Sequence, residues 1–272
     1  MSNSQCPVRH SAMPAQHQVT GVRRIAVLLY GLGSYLVFLA TFVYLVGFVT
    51  GIAVPRSVDR AVEAPMAQSI IVDVALLVVF ALQHSVMARP AFKRWWTRYV
   101  PVPIERSTYV LLSSAALALV FWQWRSIEIS VWSVGPTPAR LAVSVLAASG
   151  WLTALAATFM IDHFDLFGLS QVAHLLRAKP QGEKGFREVF AYRLIRHPLL
   201  LGFLIAFWAT PTMTAGHLLF AVTMTAYIFV AIPIEEHDLV DALGEPYRRY
   251  RERVPALLPG LPRRNGRFHE KG

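Results

Sequence analysis

Cysteine is almost missing from this chain: Cys6 is the single one among 272 residues. A disulfide within the chain and paired-thiol redox chemistry are therefore both excluded. Charge is scarce as well, with Asp, Glu, Lys and Arg making up 15% of the residues. The zinc spacings His-x-x-Glu-His and His-Glu-x-x-His do not occur. The histidines at 84, 163, 174, 197, 217 and 237 form no close-set cluster, so no metal is expected. No Gly-x-Gly-x-x-Gly or phosphate-loop pattern follows a predicted strand, and no strand is predicted at all. A nucleotide-type cofactor then has to bind among helices.

What the chain has in abundance is hydrocarbon. Hydrophobic residues make up 55% of the sequence and the mean hydropathy is +0.45, which points to an integral membrane protein. Ile25 to Val49 is an uncharged run long enough for a hydrocarbon core of about 30 Å. Further apolar blocks at about 69–88, 108–124 and 140–161 are interrupted only by Asp73, His84 and Arg140. Leu199 to Ile234 is too long for one span and is broken around Pro211, so it reads as two short helices, about 199–210 and 217–234, folded back on each other. The expected class is an all-α polytopic membrane protein with four full spans, a C-terminal helical hairpin and a juxtamembrane helix over about 235–254. Residues 1–22 lack the apolar core of a signal peptide and read as a disordered tail. The remainder, 23–272, reads as one membrane-embedded domain.

The basic residues test that layout independently. Of 26 Lys and Arg residues, 22 fall in the N-terminal tail, 89–107, 162–198 and the C-terminal tail, leaving Arg56, Arg60, Arg125 and Arg140 on the other side. By the positive-inside rule both termini are cytoplasmic. The net charge of +10 thus reflects topology and contact with lipid head groups rather than nucleic-acid binding.

The polar residues of the spans converge on the expected cytoplasmic side. Asp73 and His84 share a helix face but lie roughly 16 Å apart along the axis. Asp73 reads as a boundary residue reaching toward head groups, and His84 as either an interhelical hydrogen-bonding group or a pocket residue. Glu105 and Arg106 open the third span. Asp162, His163 and Asp165 close the fourth, where two carboxylates flanking an imidazole can orient it and raise its basicity. Tyr247 and Tyr250 with Arg248, Arg249, Arg251 and Arg253 form an amphipathic segment suited to lipid contact.

Two further clusters bracket the hairpin: Arg196-His197-Pro198 ahead of Gly202, and Glu235-Glu236, followed by Leu243-Gly244, Tyr247, Tyr250 and Val254-Pro255. This order and spacing resembles the isoprenylcysteine carboxyl methyltransferase superfamily of membrane methyltransferases. Gln83-His84-Ser85, Glu105-Arg106-Ser107-Thr108-Tyr109 and the stretch His163 to Leu169 are similar to a narrower bacterial branch that includes NnrU-like proteins and thiol methyltransferases. The sequence departs from the broad pattern at Leu200, where a Tyr is usual, and at Leu243, where a Phe precedes the Gly.

The resemblance implies an enzyme that methylates methanethiol to dimethyl sulfide with S-adenosylmethionine as donor, in a bacterial inner membrane with its pocket facing the cytoplasm. It also implies that Tyr192, His197, Pro198, Leu199, Leu200 and Glu235 line the donor site, with Glu236 close by. A helix beginning at Pro198 would offer free N–H groups to a carboxylate. Simple thiols are mostly protonated at neutral pH, so a base is needed. His163, oriented by Asp162 or Asp165, is the expected base, with His84 or Arg106 stabilising the thiolate. Other readings are methylation of a different hydrophobic thiol, of sulfide or of a lipid-borne carboxylate, and a non-enzymatic NnrU-like protein associated with denitrification.

Overall fold

The computed structural model describes residues 21–177 and 188–258. Most of the tail expected over 1–22, Cys6 included, lies outside the described residues, while Gly21 and Val22 are already helical. Among the described residues, five helices are long and apolar enough to cross a membrane: α1 (Gly21–Thr50), α2 (Met66–Ala88), α4 (Val102–Gln123), α5 (Thr137–Ile161) and α9 (Ala215–Leu243). The chain is a multi-pass integral membrane protein. Shorter helices α3 (Pro90–Trp96), α6 (His163–Leu166), α7 (Leu169–Leu176) and α10 (Glu245–Arg253) gather at one end, here termed the basic end. The apolar helix α8 (Pro198–Trp208) starts there too.

Proline sets several starts. Pro103, Pro138 and Pro198 sit in the first turns of α4, α5 and α8, where the missing N–H costs nothing and the fixed φ suits the helix. The hairpin arms are unequal, in contrast to the two short helices expected: α8 has 11 residues and α9 has 29. Helix α9 passes through Pro233, which cannot donate to the carbonyl one turn before it. It ends at Gly244 with φ of +68°, so the juxtamembrane segment expected as one helix is two.

The other end carries strands that the sequence did not predict. β1 (Val62–Glu63) pairs in parallel with β2 (Arg125–Ser126), and β3 (Ser130–Ser133) pairs antiparallel with β4 (Thr212–Thr214). The physical reason for the β3–β4 pair is the break between α8 and α9. Non-helical backbone beside hydrocarbon must have its polar groups satisfied by protein, and β3 supplies partners to β4. Around them lie the fully buried Trp124, Phe48, Phe220, Val58 and Met213, with Trp124 Nε1 donating to the Val58 carbonyl at 3.1 Å. Asp73 belongs to this core and does not reach for head groups: it is 0% exposed, and its Oδ1 accepts the Arg125 N–H at 2.9 Å. His217 is also buried, its Nε2 lying 3.0 Å from the Phe207 carbonyl.

Between the ends, α8 is fixed by its contact with α5. Gly202 and Gly150 allow backbone to touch backbone, since a Cβ on Gly202 would stand 2.5 Å from Ala154 N and 2.7 Å from Gly150 O. Small residues at such contacts are how membrane helices approach closely. On the other side α9 packs on α2, where Ser85 Oγ and Tyr227 Oη share a hydrogen bond of 3.1 Å. The hairpin is thus held against the second and fourth spans.

Gly202→Val should force α5 and α8 apart, at a cost of about 3 kcal/mol or more by analogy with overpacked cores. A lower thermal midpoint of the detergent-purified protein is expected. Gly33→Ala, where an added Cβ meets nothing within 4 Å, should leave the midpoint unchanged.

Candidate functional site

Successive residues on a helix point about 100° apart, and this separates the two acids at the basic end of α9. Glu236 faces inward, only 6% exposed. Its Oε1 accepts from Arg196 Nε at 2.7 Å, from Arg196 Nη2 at 2.7 Å and from His197 Nε2 at 3.0 Å. Arg196 also donates to the carbonyls of Arg251 and Val254, while the backbone N–H groups of Arg196 and His197 donate to Pro255 and Ala256. The chain leaving α10 is thereby tied to the start of α8. Glu235 turns the other way, its side chain 50% exposed and 4.0 Å from His197 Nδ1. The sequence made Glu235 the main acid and Glu236 its neighbour; the structure gives Glu236 the holding role and leaves Glu235 available to a ligand.

His197 and Pro198 do open a helix, with His197 as the residue before its first turn and no side-chain cap. The N–H groups of Leu199 and Leu200 fall in that first turn, where a helix provides no internal acceptor. Leu200 also packs against the buried cluster of Ile228, Ile232 and Leu257, so this side chain serves packing. Tyr192 stands within the field of Glu235, which with burial raises its phenol, burial being the larger cause. Tyr250 and Tyr247 face protein rather than lipid, at 3% and 4% exposure. Burial first, then the Glu188 charge, pushes Tyr250 up to about 12, so it stays protonated and donates to the Tyr192 carbonyl at 2.6 Å.

His84 lies in a second group formed by α2, α4 and α9. Tyr109 Oη is 3.2 Å from its Nδ1 and 3.1 Å from its Nε2, and Ser113 Oγ is 3.3 Å from Nδ1. Arg106 lies over the Tyr109 ring, 5.1 Å from its centroid, with Nε donating to the Leu166 carbonyl at 2.8 Å. Tyr109 and Tyr227 are both within electrostatic reach of Glu235, which links this group to the acid pair. Neither tyrosine was assigned a role from sequence. Tyr227 carried a signal, since it stands two helical turns before Glu235 and so shares its face.

His163 is placed differently from expectation. Thr158 Oγ1 meets its Nδ1 at 2.8 Å and Tyr35 Oη meets its Nε2 at 2.9 Å, so hydroxyls, not carboxylates, orient the ring. It stacks on Phe159 at 4.1 Å and is edged by Tyr35, Phe164 and Phe167. Asp162 Oδ1 instead accepts the Asp165 N–H at 3.1 Å, and Asp165 Oδ1 accepts from Gln171 at 3.3 Å. Both acids line a polar cavity of about 290 Å³ together with Lys93, Glu105 and Arg106. Burial, with Arg106 next, lowers Lys93 against the opposing pull of Glu105 and Asp165. Arg106 borders this cavity and the His84 group alike.

Two outcomes follow. Arg196→Met strands the buried Glu236 carboxylate and should cost about 3 kcal/mol; adding Glu236→Gln should recover part of the lost thermal midpoint. Burial lowers His163 below the ordinary histidine value, partly offset by Asp162, so the folded state binds fewer protons there than the unfolded chain. That stability is complete above about pH 6.5 and is lost as pH falls from there through the lowered folded value. The midpoint of His163→Asn should therefore fall less steeply on acidification than that of the wild type.

The profile of the NnrU protein family matches residues 73–252. The methanethiol S-methyltransferase of Mycobacterium tuberculosis is 56% identical over 238 residues, 88% of this chain and 98% of its own. Methanethiol S-methyltransferase 2 of Bradyrhizobium diazoefficiens is 52% identical over 238 residues, 88% of this chain and 92% of its own. Nurim of Bos taurus is 31% identical over 225 residues, 78% of this chain and 86% of its own. No solved structure matches. With a profile that spans Asp73, His84 with its partners, His163 and the acid pair, and with relatives of this identity over nearly their whole length, the chain belongs to the NnrU family, on the branch of the methanethiol S-methyltransferases, and is an enzyme of the methyltransferase kind.

Proposed function

We propose that this protein transfers the methyl group of S-adenosylmethionine to methanethiol, giving dimethyl sulfide, at a pocket that opens to the cytoplasm from a bacterial inner membrane. The carrying observation is the division of the acid pair. Glu236 clamps Arg196 and His197 at the start of α8, while Glu235 is half exposed beside the unpaired first turn of that helix. This donor set suits an amino acid joined to a ribose. Leu199 and Leu200 offer N–H groups to the carboxylate, and Glu235 accepts from ribose hydroxyls or pairs with the ammonium. His197, Pro198, Leu200 and Tyr192 wall the site, and Glu236 holds the wall in place.

S-adenosylmethionine supplies a methyl group on a positively charged sulfur that leaves as a neutral thioether. The protein's own work is to hold the acceptor in line, which alone can lower the barrier by several kcal/mol, about 7 in well-oriented intramolecular cases, and to remove the thiol proton. Two imidazoles serve the second task, His163 and His84, with Arg106 as the cation facing the sulfur that results. His163 has both nitrogens engaged by hydroxyls; accepting a thiol proton there requires Tyr35 or Thr158 to give way. His84 stands nearer the acid pair through Tyr109 and Arg106. The side of the membrane is supported by the 22 to 4 division of basic residues, since the donor is made in the cytoplasm.

Purified protein given S-adenosylmethionine and methanethiol should release dimethyl sulfide into the headspace, and Glu235→Ala should lower donor affinity at least tenfold. Methyl label in lipid without dimethyl sulfide would transfer the reading to a lipid-borne carboxylate. Absence of both donor binding and product would remove it.

A further inference from the structure

Resting on the methyl-transfer reading above, we propose that Tyr109 is a positioning residue for the acceptor sulfur: its hydroxyl holds His84 as the group that takes the thiol proton, and its ring carries Arg106 as the countercharge to the thiolate. The phenol is 7% exposed, inside a bundle where an unmatched hydroxyl is costly, yet it faces an imidazole rather than a backbone carbonyl. Its oxygen stands nearly equidistant from the two ring nitrogens, at 3.2 and 3.1 Å. With Ser113 Oγ also 3.3 Å from Nδ1, Nδ1 has two hydroxyl neighbours and Nε2 one, which leaves Nε2 the more open of the two to a thiol proton.

The ring cannot turn away from that task. Phe80 stacks on it at 5.5 Å, on α2 itself, and Tyr109 meets it at 5.3 Å from α4. Arg106 is held from two directions, by the Leu166 carbonyl at Nε and by the Tyr109 ring beneath the guanidinium, an arrangement in which an aromatic face steadies a cation. The groups whose charge or proton reaches His84 and its partner are Arg106 on α4, Arg89 beyond α2, and Tyr227 and Glu235 on α9. Of these Glu235 is the acid assigned above to the donor site, so the pair lies within electrostatic reach of that site. His163 differs in having a separate hydroxyl at shorter range on each nitrogen, at 2.8 and 2.9 Å, inside a tighter aromatic enclosure that stacks at 4.1 Å.

The thiol S–H proton passes to His84 Nε2 and its electron pair stays on sulfur. That pair forms the new S–CH3 bond while the donor's C–S bond breaks, the bonding electrons remaining on the donor sulfur. His84 then returns the proton to water.

Tyr109→Phe keeps the ring under Arg106 and removes only the hydroxyl. The test compares two thiols of similar size on purified full-length protein: ethanethiol, which needs a base, and 2,2,2-trifluoroethanethiol, which ionises readily unaided. For ethanethiol kcat should fall roughly 10- to 100-fold, the lower part of the range for general-base assistance, while the fluorinated thiol loses less than about threefold. S-adenosylmethionine affinity by calorimetry should be unchanged in the variant. His84→Gln should reproduce the pattern and stands in should Tyr109→Phe fail to fold. Equal loss with both thiols, or no loss with either, overturns the proposal while wild-type turnover still supports methyl transfer. A wild type that methylates neither thiol, nor methanethiol, overturns the methyl-transfer reading itself.

Discussion

A carboxylate taken out of water at a membrane edge keeps its charge only where cations and hydrogen bonds replace its hydration, and Glu236 meets that demand with three nitrogens. Those nitrogens belong to the two residues that precede α8, so satisfying one buried charge also decides where that helix begins. Arg196 then reaches on to the carbonyls of Arg251 and Val254, drawing α10 and the chain after it into the same node. Glu235 needs none of this. Its charge reaches Tyr192 and Tyr109 while its neighbour does the holding.

What could be read from sequence had a long-range pattern behind it. Runs of about 20 apolar residues mark four of the five spans; the fifth, α9, runs on to Leu243 past the point where the apolar run stops. The Arg196-His197-Pro198 and Glu235-Glu236 clusters sit where the hairpin meets the basic end. Features set by helix phase or by distant partners were not readable. Which of two consecutive acids faces inward depends on how α9 is rotated, and nothing in the dipeptide says so. Asp162 and Asp165 are His163's neighbours in sequence, yet its ring is held by Thr158 and by Tyr35, 128 residues away. Asp73 looked like a surface acid because a one-dimensional pattern cannot tell a head group from the backbone N–H of Arg125. Strands of two to four residues are too short to show alternation.

The two ends of the bundle are built on different physics. Apolar packing around Trp124 and Phe220, with backbone pairing across the breaks, closes one end. The basic end is joined by side chains: the acid pair, Arg106 with Leu166, and Arg89 with Asp238 at 2.9 Å.

Stapling by β1–β2 and β3–β4 at one rim also has a mechanical meaning. A helix of 23 residues such as α2 is a rod of about 35 Å, so when one tip is pinned, a tilt of roughly 5° swings the other tip by about 3 Å. A clearance of that size is comparable to the thickness of an aromatic ring. Small angular play at a sealed edge thus becomes, at the far end, a displacement of the size of an atom.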